Sequence, residues 1–192
     1  LVAGLVAVAA VVRANPLAQF RTVFGTVEVE LLRDQRPVTV SNFIHYVESG
    51  RYDGTFVHRL VPNFLVAGGC YAGVQRHTEA ANYASIPHFD AIPNETRTGG
   101  VLTNLFGTLS LGSVSNTNRP LTSEFFFSLT DSLGTFFTQN QGGYPVFGRV
   151  RGGLEVLQAL CGGSAESPKA APPSALAGAG KPRASKGEVA FA

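Results

Sequence analysis

The sequence predicts a mainly β protein, a closed antiparallel barrel capped by two helices. Three observations carry this reading. Val27, Val29 and Leu31 alternate with Glu28 and Glu30, the period-two signature of a strand with one buried face. Short apolar stretches recur along the chain with turn residues between them. Two segments, far apart, carry helical spacing instead.

In chain order, Gly25 sits between two strand-like stretches and marks a hairpin turn. A helix follows over residues 37–49. Pro37 suits its first turn, Val40, Phe43, Ile44 and Val47 repeat at i, i+3, i+4 and i+7, and Gly50 suits its C-terminal cap. Short strands are expected around Phe56–Leu60, Asn63–Val66, Gly107–Leu111, Glu124–Leu129 and Val146–Val150. A second helix is expected over Leu154–Cys161, with Leu154, Leu157 and Cys161 on one side, and a last strand over Glu188–Phe191. Residues 162–180, GGSAESPKAAPPSALAGAG, are of low complexity and have no core of their own. The chain contains neither internal repeats nor a second domain.

A length of 192 residues suits one domain with short appendages, and 44% hydrophobic against 15% charged residues allows one sizeable core. The net charge of +2, from 15 basic and 13 acidic residues interleaved along the chain, gives no electrostatic footprint for nucleic acid. Cys70 and Cys161 lie far apart without C-x-x-C spacing, so neither zinc binding nor thioredoxin-like chemistry is expected; two buried free thiols are expected rather than a disulfide. The Gly-Gly pairs at 68–69, 99–100 and 142–143 lack phosphate-loop spacing and a following Lys.

Residues 1–12, LVAGLVAVAAVV, are apolar and uncharged and end at Arg13. A bilayer-spanning helix needs about 20 apolar residues and a signal-peptide core about 7–15. We read residues 1–18 as an apolar anchor and linker, with docking of the same segment on a protein partner as the alternative. The expected location is a membrane, of organellar type (mitochondrial inner membrane or thylakoid).

Residues 52–69 read YDGTFVHRLVPNFLVAGG. This run resembles the cyclophilin signature, approximately YDGT-x-FHRVIP-x-FM-x-QGG. Further matches fall in the family's order: Ile92-Pro93-Asn94-Glu95, Gly107-Thr108-Leu109-Ser110, Ser123-Glu124-Phe125-Phe126, Val146-Phe147-Gly148-Arg149-Val150, and a closing strand within residues 186–192. The resemblance covers about residues 19–161 and 183–192 and looks closest to the bacterial and organellar branch. It implies an eight-stranded barrel over residues 19–192, with a low-complexity insertion at 162–182 before the last strand. It also implies peptidyl-prolyl cis–trans isomerisation of proline-containing polypeptide segments.

A prolyl bond rotates slowly because amide resonance sets a barrier of about 18–20 kcal/mol. An apolar pocket that grips the proline ring, with a donor that favours the twisted amide, suffices to lower it. This chemistry requires no nucleophile, acid–base pair, metal or cofactor. By the resemblance the donor is Arg59, whose guanidinium stays charged and offers several N–H groups in a fixed fork. Phe64, Leu65 and Phe126 fall on the proline-pocket positions, Leu65 standing where the family has Met. Phe136 or Phe137 falls on an apolar loop position, Tyr144 falls where the family has His or Tyr, and His58 is read as structural.

Other positions depart from the family. Ala67 and Glu124 replace two Gln residues, and Gly112-Ser113 replaces the Ala-Asn that binds substrate backbone. Glu124 is expected to be close enough to pair with Arg59 and occupy the donor. Two functions follow: an isomerase of weakened activity tethered at a membrane, or a silent cyclophilin-like subunit bound to other protein subunits of a membrane or organellar assembly. An Arg59–Glu124 pair would favour the second.

Overall fold

The computed structural model describes residues 14–73, 83–113, 121–131, 143–161 and 188–190. Its main sheet contains β1 (Leu17–Thr22), β2 (Gly25–Leu31), β3 (Arg59–Val61), β4 (Leu65–Gly68), β7 (Thr108–Leu111), β8 (Phe125–Ser128), β9 (Val146–Gly152) and β10 (Glu188–Ala190), in the order β10-β1-β2-β9-β7-β8-β4-β3. A separate hairpin pairs β5 (Tyr71–Gly73) with β6 (Tyr83–Ser85). The helices are α1 (Pro37–Glu48) and α2 (Leu154–Ala159).

The eight expected strands are present, and all their pairings are antiparallel except β1 with β10, which is parallel. Among the described residues β3 and β10, the two ends of the sheet, do not pair with each other, where closure was expected. β3 is three residues long and is followed by Pro62, which has no N–H to extend a ladder. Leu60, on the inward side of this edge, is 45% exposed. An apolar cavity of about 300 Å³ opens at the seam, between Phe24, Leu60, Phe125, Val156 and Leu160.

Alternation along the strands sorts the side chains onto two faces. Phe20, Val27, Val29, Leu31, Val66, Leu109, Phe125, Phe127 and Phe147 point into one core with the buried faces of α1 and α2. Phe20 meets Phe125 and Phe127 edge-on at centroid distances of 5.5 and 5.0 Å, a favoured aromatic geometry. Leu65, Ala67 and Phe126, the intervening residues of β4 and β8, form a second, smaller cluster on the other face.

The expected stripe of α1 holds at Val40 and Phe43, which are buried; Ile44 and Val47 lie at the core's margin, and Tyr46 takes the central place. The tyrosine hydroxyl accepts the Phe89 N–H at 2.8 Å, so its polar end is satisfied inside. Gly50 follows the helix at φ +70°, the left-handed conformation of a C-terminal cap. In α2 the buried residues are Val156 and Leu157; Leu154 is exposed, so the expected face is rotated.

Candidate active site

The β3–β4 hairpin places the presumed donor beside the presumed pocket. Its turn has Pro62 at the position that fixes φ and Asn63 at φ +54°, and the Phe64 N–H bonds the Val61 carbonyl at 3.1 Å. The resulting register sets Arg59 opposite Ala67, Ala67 opposite Phe126, and Phe126 opposite Ser110. Residues directly opposite one another share a face, so these four form one row across β3, β4, β8 and β7. Leu65, Ala67 and Phe126 are buried, with Phe64 and Tyr144 packed against them. The Tyr144 ring stands edge-on to Phe126 at 5.4 Å and 86°.

At the end of this row Arg59 is exposed and, among the described residues, makes no ion pair or hydrogen bond through its side chain. The expected Arg59–Glu124 pair is therefore absent. Glu124 engages His58 instead, with Oε1 3.3 Å from Nε2, and both side chains are largely buried. The reason is strand geometry: consecutive residues of an extended segment point to opposite sides, so the Glu124 carboxylate meets His58 and not Arg59. The His58 backbone N–H also bonds the Ala67 carbonyl at 3.1 Å.

Gly112 and Ser113 follow β7, and the Gly112 N–H bonds the Glu124 carbonyl at 2.7 Å. Ser113 is half-buried. Phe136 and Phe137 lie outside the described residues, as do residues 1–13. Cys70 and Cys161 are free thiols, the first fully buried. Burial, and the Glu124 carboxylate close by, push the Cys70 thiol well above its ordinary pKa.

The sheet turns sharply after β4. Gly69 has φ +83°, and a Cβ there would lie 2.6 Å from the Ser123 carbonyl oxygen and 2.8 Å from the Phe125 ring. Only glycine allows that approach. The same carbonyl accepts the buried Tyr52 hydroxyl at 2.7 Å, so the β4–β5 turn, α1's C-terminal flank and β8 are tied at one point.

Two supporting residues escaped the sequence reading. Glu95 is buried and accepts the Val38 N–H at 3.2 Å, the Thr39 N–H at 2.7 Å and the Thr39 hydroxyl at 2.7 Å. It caps α1, which has no side-chain cap of its own. Arg36 is also fully buried, and its guanidinium donates to the carbonyls of Gln35, Thr96, Thr98 and Gly100. The Asn94-Glu95 match carried a signal for the first; an isolated arginine carried none for the second.

The comparisons agree with this geometry. The family model for cyclophilin type peptidyl-prolyl cis-trans isomerases matches residues 17–176. The chain is 32% identical over 147 residues to a peptidyl-prolyl cis-trans isomerase of Acinetobacter baylyi, covering 77% of this chain and 72% of that one. It is 35% identical over 150 residues to the isomerase cyp18 of Streptomyces antibioticus, covering 75% and 82%. A solved cyclophilin type isomerase of Cryptosporidium parvum, in the presence of the dipeptide Ala-Pro, is similar with a TM-score of 0.53 at 27% identity, over 79% of this chain and 89% of that one. With the signature residues assembled on one sheet face and the family model spanning most of the chain, this protein belongs to the cyclophilin-type peptidyl-prolyl cis–trans isomerases.

Proposed function

We propose that the chain catalyses rotation about X–Pro bonds in polypeptide segments, with the proline ring seated against Phe64, Leu65 and Phe126 and Arg59 as the donor. The observation that carries this is the exposed Arg59, without an ion pair among the described residues, in register with Ala67 and Phe126. As the prolyl amide twists, its nitrogen regains a lone pair, and a fixed cationic donor favours that state over the planar one. Tyr144 stands beside the seat, edge-on to Phe126, and Tyr144 and Ser113 are the residues that the resemblance assigns to hydrogen bonds with substrate backbone. The alternative of a silent groove rests on Ala67, Glu124 and Gly112-Ser113 taken together; of these, Glu124 is engaged with His58 and not with Arg59.

Activity below the family's level follows from Ala67, which supplies no side-chain amide between Arg59 and Phe126. A hydrogen bond of that kind contributes about 0.5–1.5 kcal/mol, several-fold to about tenfold in rate. Ala67→Gln is therefore expected to raise kcat/KM on a short proline peptide by about that factor, and Glu124→Gln alone to change it by less than about twofold. Measured isomerisation rates of both variants check this. An unchanged rate in Ala67→Gln would remove the case for a weakened site.

For attachment, we read the apolar residues 1–12 as holding the domain at an organellar membrane. Among the described residues no helix is long and apolar enough to cross a bilayer, so those residues are the segment to test. Deleting them is expected to move the protein from the membrane to the soluble fraction on centrifugation. A truncated form that stays with the membranes would transfer attachment to the domain surface.

A further inference from the structure

Glu124, His58 and Cys70 come from three separate points of the chain: the residue before β8, the residue before β3, and the turn between β4 and β5. Their donor atoms all lie within 4.8 Å of one another. The set is one imidazole nitrogen, one thiol sulfur and one carboxylate oxygen, the three donor types that zinc accepts. Zn–N and Zn–O bonds of about 2.0–2.2 Å at a tetrahedral angle put neighbouring N and O ligands about 3.3–3.5 Å apart. The His58 Nε2–Glu124 Oε1 separation is 3.3 Å.

Two further observations distinguish this cluster from an ordinary histidine–carboxylate contact. The second carboxylate oxygen, Oε2 of Glu124, is buried without a hydrogen-bond partner among the described residues. A buried charge normally has its oxygens satisfied or coordinates a metal. In addition, the space for this carboxylate depends on Gly112. A Cβ at that position would lie 2.9 Å from Glu124 Cγ, 3.1 Å from Cδ and 3.2 Å from Oε2. The glycine thus permits the acidic side chain to lie where it meets His58 and approaches Cys70, away from the cation at Arg59.

We propose that His58, Cys70 and Glu124 form a binding site for a thiophilic divalent cation of the zinc class, one ion per chain. Three protein ligands leave a fourth position for water or another donor, as in open zinc sites. Binding replaces the Cys70 thiol proton, which leaves to solvent, by a sulfur–metal bond, so one proton is released per ion from this residue. The ion ties the flank of β3, the β4–β5 turn and the start of β8 together, beside the row that carries Arg59 and Phe126. Neither half of the sequence pattern reveals this site, because ligands at 58, 70 and 124 have no motif spacing.

The test uses the full chain, stripped with a chelator and titrated with Co²⁺ as a visible probe, then with Zn²⁺ in competition. The expected result is one Co²⁺ per chain with thiolate-to-cobalt charge-transfer absorption, displaced by Zn²⁺, together with a Tm that rises on adding Zn²⁺. Cys70→Ser is expected to abolish that absorption while Cys161→Ser retains it. Glu124→Gln, close in shape to the native side chain, is expected to weaken binding by more than about 100-fold, beyond the usual loss for an outer-shell partner. Gly112→Ala is expected to weaken it as well, by displacing the carboxylate. Circular dichroism establishes that each variant is folded. Absence of the thiolate–cobalt band in the folded wild type overturns the proposal, and so does a band of undiminished affinity in folded Glu124→Gln or in Cys70→Ser.

Discussion

Arg59→Ala is expected to lower kcat/KM for isomerisation of a proline peptide by about 100- to 1,000-fold, the range found when one preorganised donor to a transition state is removed. The fold is expected to survive. Arg59 lies on the short edge strand β3, its side chain is exposed and makes no ion pair among the described residues, and the backbone pairing to Ala67 is indifferent to the side chain. Surface substitutions of this kind change stability by about 0.5 kcal/mol or less. Arg59→Lys keeps the charge and loses the planar fork, so an intermediate loss is expected. Exchange NMR on the peptide, with a urea melt of each variant, separates the outcomes. Full activity in a folded Arg59→Ala would mean that another group stabilises the twisted amide; Tyr144, beside Phe126, would be the next residue to replace.

What the sequence made legible was the part written as periodicity or as a contiguous motif. The alternation at Val27, Val29 and Leu31 emerges as β2 with three buried residues. The run from Tyr52 to Gly69 emerges as the hairpin that aligns Arg59 with Ala67 and Phe126. Contacts between distant segments were not legible. His58 and Arg59 are neighbours in the chain and project oppositely, so nothing in the string says which of them Glu124 will meet. Tyr46 was passed over because a tyrosine's hydroxyl argues against full burial until its partner, the Phe89 N–H, is known. Arg36 reads as a surface residue for the same reason, since a buried guanidinium requires several acceptors and here they are backbone carbonyls some sixty positions away. The β5–β6 hairpin consists of three-residue strands, too short to show a period.

Those distant contacts also locate a large stability effect, at Glu95. Helix α1 begins at Pro37 behind an N-cap residue, Arg36, whose side chain makes no capping bond. The carboxylate that fills this role arrives from residue 95 and accepts two backbone N–H groups and one hydroxyl. It also places a negative charge at the positive end of the helix and near the buried Arg36, whose pKa is lowered chiefly by burial and raised in part by Glu95. Glu95→Ala strips all of this from an interior where Thr39 and Arg36 have no access to water. An unsatisfied buried polar group costs about 1–3 kcal/mol, and the groups here share one acceptor, so a total loss of about 3 kcal/mol is expected. For a domain of this size that corresponds to a Tm lower by about 6–12 °C. Glu95→Gln keeps one carbonyl acceptor and loses the charge, and is expected to fall between the two. Thermal melts followed by circular dichroism decide it. A Glu95→Ala protein melting within about 2 °C of the wild type would mean that α1 holds its first turn without this carboxylate and that packing of Val40, Phe43 and Tyr46 alone fixes the helix.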